Sequence, residues 1–138
     1  MRWFLRQLVL SVRDIMTPIV RTIHRDALVS KVAGILNIER ISGAPLVDNE
    51  GDMVGIITET DLNDLELIGG NPYVTKAWEV ACSDVVTIPV SASLQEAART
   101  ILDTQVRNLI VTDGATPVGV LSVADLVRFV ERQDGRVF

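Results

Sequence analysis

The sequence predicts a mixed α/β (α+β) fold made of two tandem strand–helix–strand–strand–helix repeats. Three observations support this prediction: one pattern occurs twice, each copy changes from helical to strand periodicity at the same place, and each ends in the same strand-to-helix motif. The 138 residues are 48% hydrophobic and 22% charged, which is a globular composition. Because a lone unit of about 55–60 residues is marginally stable, we expect the copies to be related by a pseudo-twofold axis, with their sheets packed together.

The internal repeat keeps almost constant spacing. Thr17–Val20 matches Ser83–Val86 at an offset of 66 residues, whereas Gly55–Thr58 matches Gly119–Ser122 at an offset of 64. The second copy therefore lacks two residues between its first helix and the next strand, as loops tolerate. The predicted boundaries are an N-terminal segment at 1–11, a first repeat at 12–68, a linker at 69–77, a second repeat at 78–133 and a tail at 134–138.

Periodicity predicts the elements within each copy. Apolar residues at helical spacing predict one helix in each copy, with faces formed by Leu28, Val32, Ile35 and Leu36, and by Leu94, Ala98, Ile101 and Leu102. Short apolar runs then predict paired strands at 44–47 and 53–57, and at 108–112 and 118–121. A second helix follows from Thr58 or Ser122. Its apolar residues are Leu62, Leu65 and Ile68 in one copy, and Leu126, Phe129 and Val130 in the other.

Composition excludes several classes of function. A net charge of -5, a pI of about 4.8 and 4% aromatic residues argue against nucleic acid and anionic membranes as partners. The single cysteine, Cys82, rules out an internal disulfide and is interpreted as a buried small hydrophobe. The lone His24 is interpreted as a surface or edge residue. We therefore expect no catalytic or metal site, and a cytoplasmic protein.

The N-terminal run MRWFLRQLVL is apolar but interrupted by Arg6 and Gln7, and it is too short for a membrane span. We predict an amphipathic helix there. The alternative is the end of a tail from a membrane-linked parent chain.

The same motif closes both copies: Gly55-Ile-Ile-Thr58-Glu-Thr-Asp61 and Gly119-Val-Leu-Ser122-Val-Ala-Asp125. Each places a hydroxyl at a strand-to-helix junction and a carboxylate three residues later. The carboxylate can accept hydrogen bonds from two vicinal hydroxyls, and the helix start can hold a phosphate. The same spacing also makes an ordinary helix cap. A cap does not require the preceding glycine and strand in both copies, so this context favours a binding site.

The chain resembles the CBS (cystathionine-β-synthase) domain family over residues 12–132. The resemblance rests on the repeat, on Asp14–Thr17 (DIMT), on Ser42–Asp48 (SGAPLVD) and on the two motif endings. The second copy departs from the pattern at 81–83, where Ala-Cys-Ser replaces Ile-Met-Thr, and at 108–109, where Asn-Leu replaces Ala-Pro.

The resemblance implies a regulatory module that binds adenosine compounds such as AMP, ADP, ATP or S-adenosylmethionine, and requires no cofactor. It implies two clefts, one holding Ile56, Thr58, Asp61, Val85, Arg107 and Asn108, and the other holding Val120, Ser122, Asp125, Ile19, Ser42 and Gly43. Because of Arg107, we expect the Asp61 cleft to bind phosphorylated ligands more tightly. A homodimer formed through the second helices is expected, and a regulated enzyme or transporter is a further expected partner. The alternative is a ligand-free dimerisation or protein-interaction module.

Overall fold

The computed structural model describes residues 10–19 and 21–137, and it has the mixed α/β architecture that the sequence predicts. The helices are α1 (Val12–Ile15), α2 (Val29–Glu39), α3 (Glu59–Leu67), α4 (Ala77–Val80), α5 (Leu94–Thr104) and α6 (Val123–Val137). The strands are β1 (Thr17–Pro18), β2 (Ile23–His24), β3 (Gly43–Val47), β4 (Met53–Thr58), β5 (Thr87–Pro89), β6 (Asn108–Asp113) and β7 (Thr116–Ser122). The predicted N-terminal helix at 1–11 lies outside the described residues except for 10 and 11.

Both repeats have the predicted order of elements. The first runs β2-α2-β3-β4-α3 and the second runs β5-α5-β6-β7-α6. In each, the opening strand pairs in parallel with the next strand across a helical crossover, and the following two strands form an antiparallel hairpin. The first hairpin turns at Asp48, whose side chain accepts hydrogen bonds from the backbone N–H of Glu50 and Asp52 at 3.0 and 2.9 Å.

The chain forms two compact units, and these differ from the sequence repeats in one respect. One unit is Ile19–Val85, and the other joins the described residues up to Pro18 with those from Val86 onward. The short segment that opens each repeat thus belongs to the unit that contains the rest of the other repeat. In the second unit, β1 pairs antiparallel with β7 to extend a sheet of order β1-β7-β6-β5.

The first unit holds the corresponding segment of the second repeat. Its sheet has the order β2-β3-β4, and Cys82 lies along the β4 edge. The N–H of Ile56 donates to the carbonyl of Cys82 at 2.9 Å, and the N–H of Cys82 donates back at 3.0 Å. The helix α4 is also attached to this unit, because the N–H of Ala77 donates to the carbonyl of Ala27 at 2.8 Å.

Each unit has its own apolar core of aliphatic residues. The unit Ile19–Val85 buries Ile23, Val32, Leu36, Ala44, Leu46, Ile57 and Ala77. The other unit buries Val12, Ile88, Ala92, Ala97, Val106, Leu109, Val111 and Leu121. Most of these residues lie on strands; the helices contribute Val32 and Leu36 from α2, Ala97 from α5, Val12 from α1 and Ala77 from α4.

The predicted face of α5 is wrong at one position. Leu94 is buried as expected, but Ala97 occupies the core and Leu102 is 74% exposed. Leu102 follows Ile101 by one residue, which rotates its side chain by about 100° from the packed face. In α2 the prediction is confirmed at Val32 and Leu36, which are both buried, but it is wrong at Leu28, which is the N-cap residue and is 40% exposed.

The prediction of a buried Cys82 is also wrong, because its side chain is exposed. The backbone of this residue is used in edge pairing with β4, so the thiol points away from the core. It lines a pocket of about 130 Å³ with Arg25 and Trp78, whose ring lies 5.4 Å from the Arg25 guanidinium. His24 is half-exposed, with its Nε2 2.7 Å from Asn49 Oδ1, which confirms the edge position expected for it.

Candidate functional site

The first motif forms the start of α3. The N–H of Thr58 donates to Asp61 Oδ2 at 2.8 Å, and the Thr58 hydroxyl donates to the same oxygen at 3.1 Å. The N–H of Asp61 lies 3.4 Å from Thr58 Oγ1, which completes a reciprocal capping box. The turn is therefore held by the two residues that the sequence singled out.

The second motif has the same geometry at the start of α6. The N–H of Ser122 donates to Asp125 Oδ2 at 2.8 Å, and the N–H of Asp125 donates to Ser122 Oγ at 3.1 Å. The helix-cap interpretation is thus correct for both motifs. It is compatible with binding, because the cap uses Oδ2 of each carboxylate and leaves Oδ1 for another donor.

The two Oδ1 atoms have different surroundings. In the part of the chain that the structure describes, Asp61 Oδ1 has no hydrogen-bond partner, whereas Asp125 Oδ1 accepts a hydrogen bond from Arg128 at 2.6 Å. Partial burial raises the pKa of Asp61 above its usual value of 3.8, and nearby Asp64 adds to the rise. Hydrogen bonds from Thr58 oppose the shift without cancelling it.

Two further pairs of predicted residues lie beside these motifs, each inside one unit. Gly43 is the register partner of Thr58, and the carbonyl of Ser42 accepts a hydrogen bond from the backbone N–H that follows Thr58, at 2.8 Å. Asn108 is the register partner of Ser122, and the carbonyl of Arg107 accepts the equivalent bond at 3.0 Å. Hairpin pairing thus brings 42–43 to the first motif and 107–108 to the second.

The remaining predicted residues are apolar. Ile56 is buried on β4, two residues before Thr58, and Val120 is partly buried at the equivalent position on β7. Ile19 and Val85 are both partly buried, at the two ends of the unit Ile19–Val85. The assignment of all twelve residues to two ligand clefts stays a prediction.

The motif glycines are explained by close backbone approach. A Cβ on Gly55 would lie 2.7 Å from the carbonyl oxygen of Cys82, and one on Gly119 would lie 3.1 Å from that of Thr17. Real side chains do not tolerate the first of these distances. Glycine at these positions lets the opening segments lie against β4 and β7, directly before each hydroxyl and carboxylate.

Sequence reasoning missed the charged residues that act on the motif carboxylates. Asp64 and Arg128 each lie three residues after the motif aspartate, which is one helical turn further along the same face. That spacing is visible in the sequence and could have revealed both.

Within the residues described, no group of three or more histidine, cysteine or acidic side chains is arranged to hold a metal ion. None of the helices in this part of the chain is long and apolar enough to cross a membrane.

The duplicated hairpin-plus-helix unit, with a hydroxyl and a carboxylate at each helix start, is the arrangement expected of a tandem pair of CBS domains. The CBS domain family matches this chain at residues 12–67 and 77–132, and the chain belongs to that family. The resemblance seen in the sequence is therefore confirmed.

Individual relatives agree with this assignment. Over 116 residues the chain is 26% identical to the CBS domain-containing protein YhcV of Bacillus subtilis, covering 84% of this chain and 82% of YhcV. It is 30% identical over 110 residues to inosine-5'-monophosphate dehydrogenase of Methanocaldococcus jannaschii; this match covers 79% of the chain and only 21% of that enzyme.

One of the similar solved structures contains a bound ligand. The crystal structure of CBSX2 in complex with AMP superposes with a TM-score of 0.62 at 25% identity, covering 88% of this chain and 96% of CBSX2.

Proposed function

We propose that this CBS pair is a non-enzymatic regulatory module that binds an adenosine compound through its two motif carboxylates. The observation that carries the proposal is the open Oδ1 of Asp61, on a half-buried carboxylate that the Thr58 cap holds in place. A carboxylate fixed in this way can accept hydrogen bonds from both hydroxyls of a ribose. Because the cap already orders its side chain, binding costs little further conformational entropy.

The surrounding residues suit the rest of such a ligand. Val120 is partly buried and offers apolar contact for a flat base, whereas Ile56 is buried with 2% exposure. The Thr58 and Ser122 hydroxyls lie at helix starts, which carry partial positive charge. The AMP complex of CBSX2 supports the same ligand class, namely AMP, ADP, ATP or S-adenosylmethionine. The single exposed thiol, Cys82, suits a reducing compartment such as the cytoplasm.

Calorimetry with nucleotide-stripped protein tests this function. We expect AMP to bind and to be recovered unchanged. We expect Asp61→Asn to weaken the binding of adenosine and S-adenosylmethionine at the first motif, while its amide oxygen still caps the helix. The matched control is Asn63→Ala, which changes an exposed side chain on the same helix and should leave binding unchanged.

Because the pKa of Asp61 is raised, ligand binding at the first motif should weaken as the pH falls through that pKa, since a protonated carboxyl accepts hydrogen bonds poorly. No heat with millimolar AMP, ATP or S-adenosylmethionine would overturn the proposal.

We also propose that two copies associate through α6. Val123, Val127 and Val130 are exposed at positions i, i+4 and i+7, which form one apolar stripe along the helix. A symmetric partner would cover this stripe, and a regulated enzyme or transporter is the other candidate partner. This stripe is also what favours the second candidate function, a dimerisation module without ligand.

Light scattering at micromolar concentration should give twice the chain mass of 15.1 kDa. Val127→Glu should shift the protein to the single-chain mass, whereas the exposed Val74→Glu should not. A wild-type protein of single-chain mass would contradict the proposed association.

A further inference from the structure

The two motifs are alike in geometry but differ in local charge. The segment 58–64 carries Glu59, Asp61 and Asp64, which gives a formal charge of -3. The matched segment 122–128 carries Asp125 and Arg128, which gives a formal charge of 0. The capping boxes are the same, so the difference lies in what surrounds each carboxylate.

The difference in charge is found at the motif aspartates themselves. Arg128 Nη2 lies 2.6 Å from Asp125 Oδ1, so a cation already sits at the oxygen that a ligand would use. Asp64 occupies the equivalent position after Asp61, where it brings a second negative charge instead. The hairpins add to this difference in charge. The residue whose carbonyl accepts a hydrogen bond from the helix start is Arg107 at the second motif and Ser42 at the first.

We propose that the two motifs select adenosine ligands of different charge. The Asp125 motif takes a phosphorylated ligand, and the Asp61 motif takes an uncharged or cationic one. This inference rests on the proposed function, and it reverses the preference that the sequence predicted from Arg107 alone.

At the Asp61 motif, the open Oδ1 can accept hydrogen bonds from ribose hydroxyls, but a phosphate would approach a segment with a formal charge of -3, in which Asp64 acts on Asp61. Like charges repel, and partial burial strengthens the repulsion. A neutral ribose compound avoids that cost. The positive sulfonium of S-adenosylmethionine would be attracted by the same negative charges.

At the Asp125 motif, the ribose and Arg128 compete for the same oxygen. The Arg128 side chain is 61% exposed, so it has room to turn from the carboxylate to a ligand phosphate when the ribose takes its place. A ligand phosphate would give Arg128 a new ion pair in place of its contact with Asp125. Adenosine offers no such group, and so it must displace Arg128 without replacement.

The experiment compares AMP, adenosine and S-adenosylmethionine by calorimetry in proteins with one motif disabled. Asp61→Ala leaves the second motif, which should bind AMP at least about ten-fold more tightly than adenosine. Asp125→Ala leaves the first motif, which should bind adenosine or S-adenosylmethionine at least about ten-fold more tightly than AMP. Circular dichroism melting verifies that each variant is folded, because each loses the carboxylate half of its capping box.

A second pair of variants keeps both caps and changes only exposed side chains. Arg128→Gln should weaken AMP about ten-fold and leave adenosine equal or tighter, because Asp125 Oδ1 is released. Asp64→Asn should strengthen AMP at the first motif without weakening adenosine. Arg132→Gln, an exposed charge change one turn further along α6, should alter neither ligand.

The outcomes separate this inference from the function on which it rests. The same AMP-to-adenosine ratio at both motifs, or an equal loss of both ligands in Arg128→Gln, would overturn the selectivity and leave adenosine binding intact. A wild-type protein that binds none of the three compounds would overturn the proposed function and this inference together.

Discussion

We expect Gly55→Ala to lower the free energy of unfolding by about 2–3 kcal/mol. The new Cβ would lie 2.7 Å from the carbonyl oxygen of Cys82, which is backbone and cannot rotate away. The same carbonyl accepts the hydrogen bond from Ile56 at 2.9 Å, so any shift that relieves the clash also weakens the pairing of Cys82 with β4.

Urea unfolding followed by circular dichroism measures this effect, and the chain offers a matched control. Gly34 lies inside α2, where an added Cβ meets no heavy atom within 4 Å beyond its own helix backbone, as far as the described residues show. Gly34→Ala should therefore raise stability by about 1 kcal/mol, since alanine favours the helix. If Gly55→Ala unfolds no more easily than Gly34→Ala, the close approach of Cys82 is not what requires the glycine.

The elements of each repeat could be predicted because they depend on neighbouring residues. The hairpins β3–β4 and β6–β7 follow from short apolar runs around polar turns, and α2 follows from one apolar face. The exchange of opening segments could not be predicted in this way. It depends on pairing between residues far apart in sequence, such as Thr17 with Val120, and a two-residue strand carries no periodicity.

Small residues and edge positions limited the prediction of burial. Alanine gives a weak hydrophobic signal, so Ala97 was passed over in favour of the larger Leu102, although Ala97 is the residue in the core. Cys82 was assigned to the interior by residue type. Its exposure follows from its place at the edge of β4, which depends on the exchanged segment and not on the cysteine itself.

The candidate site was predictable to the extent that it is local. Thr58 with Asp61 and Ser122 with Asp125 form the expected boxes, because three-residue spacing at a helix start determines that geometry. Which oxygen of each carboxylate stays available could not be read from the motif. That depends on Arg128 reaching back to Asp125, a contact whose acceptor oxygen becomes known only when both rotamers are placed.

The interior of the second unit should be most sensitive at Leu109. Its side chain has 0% exposure on β6, among Ile88, Val111 and Leu121 in the core of that unit. Leu109→Ala should lower the free energy of unfolding by about 3 kcal/mol, because it removes buried methyl groups and leaves a cavity that packed strands cannot close.

Leu102→Ala is the matched control, since it deletes the same atoms from a side chain that is 74% exposed on α5 of the same unit. It should change stability by less than about 0.5 kcal/mol, because little apolar surface leaves water at that position and alanine favours helices slightly. Denaturant unfolding of the two variants compares them directly. If α5 instead packed through Leu102, as helical periodicity alone suggested, the two substitutions would cost similar amounts. A large loss in Leu102→Ala would therefore contradict the packing described, or would show that this side chain is covered in an assembly, in which case the loss should fall as the protein is diluted.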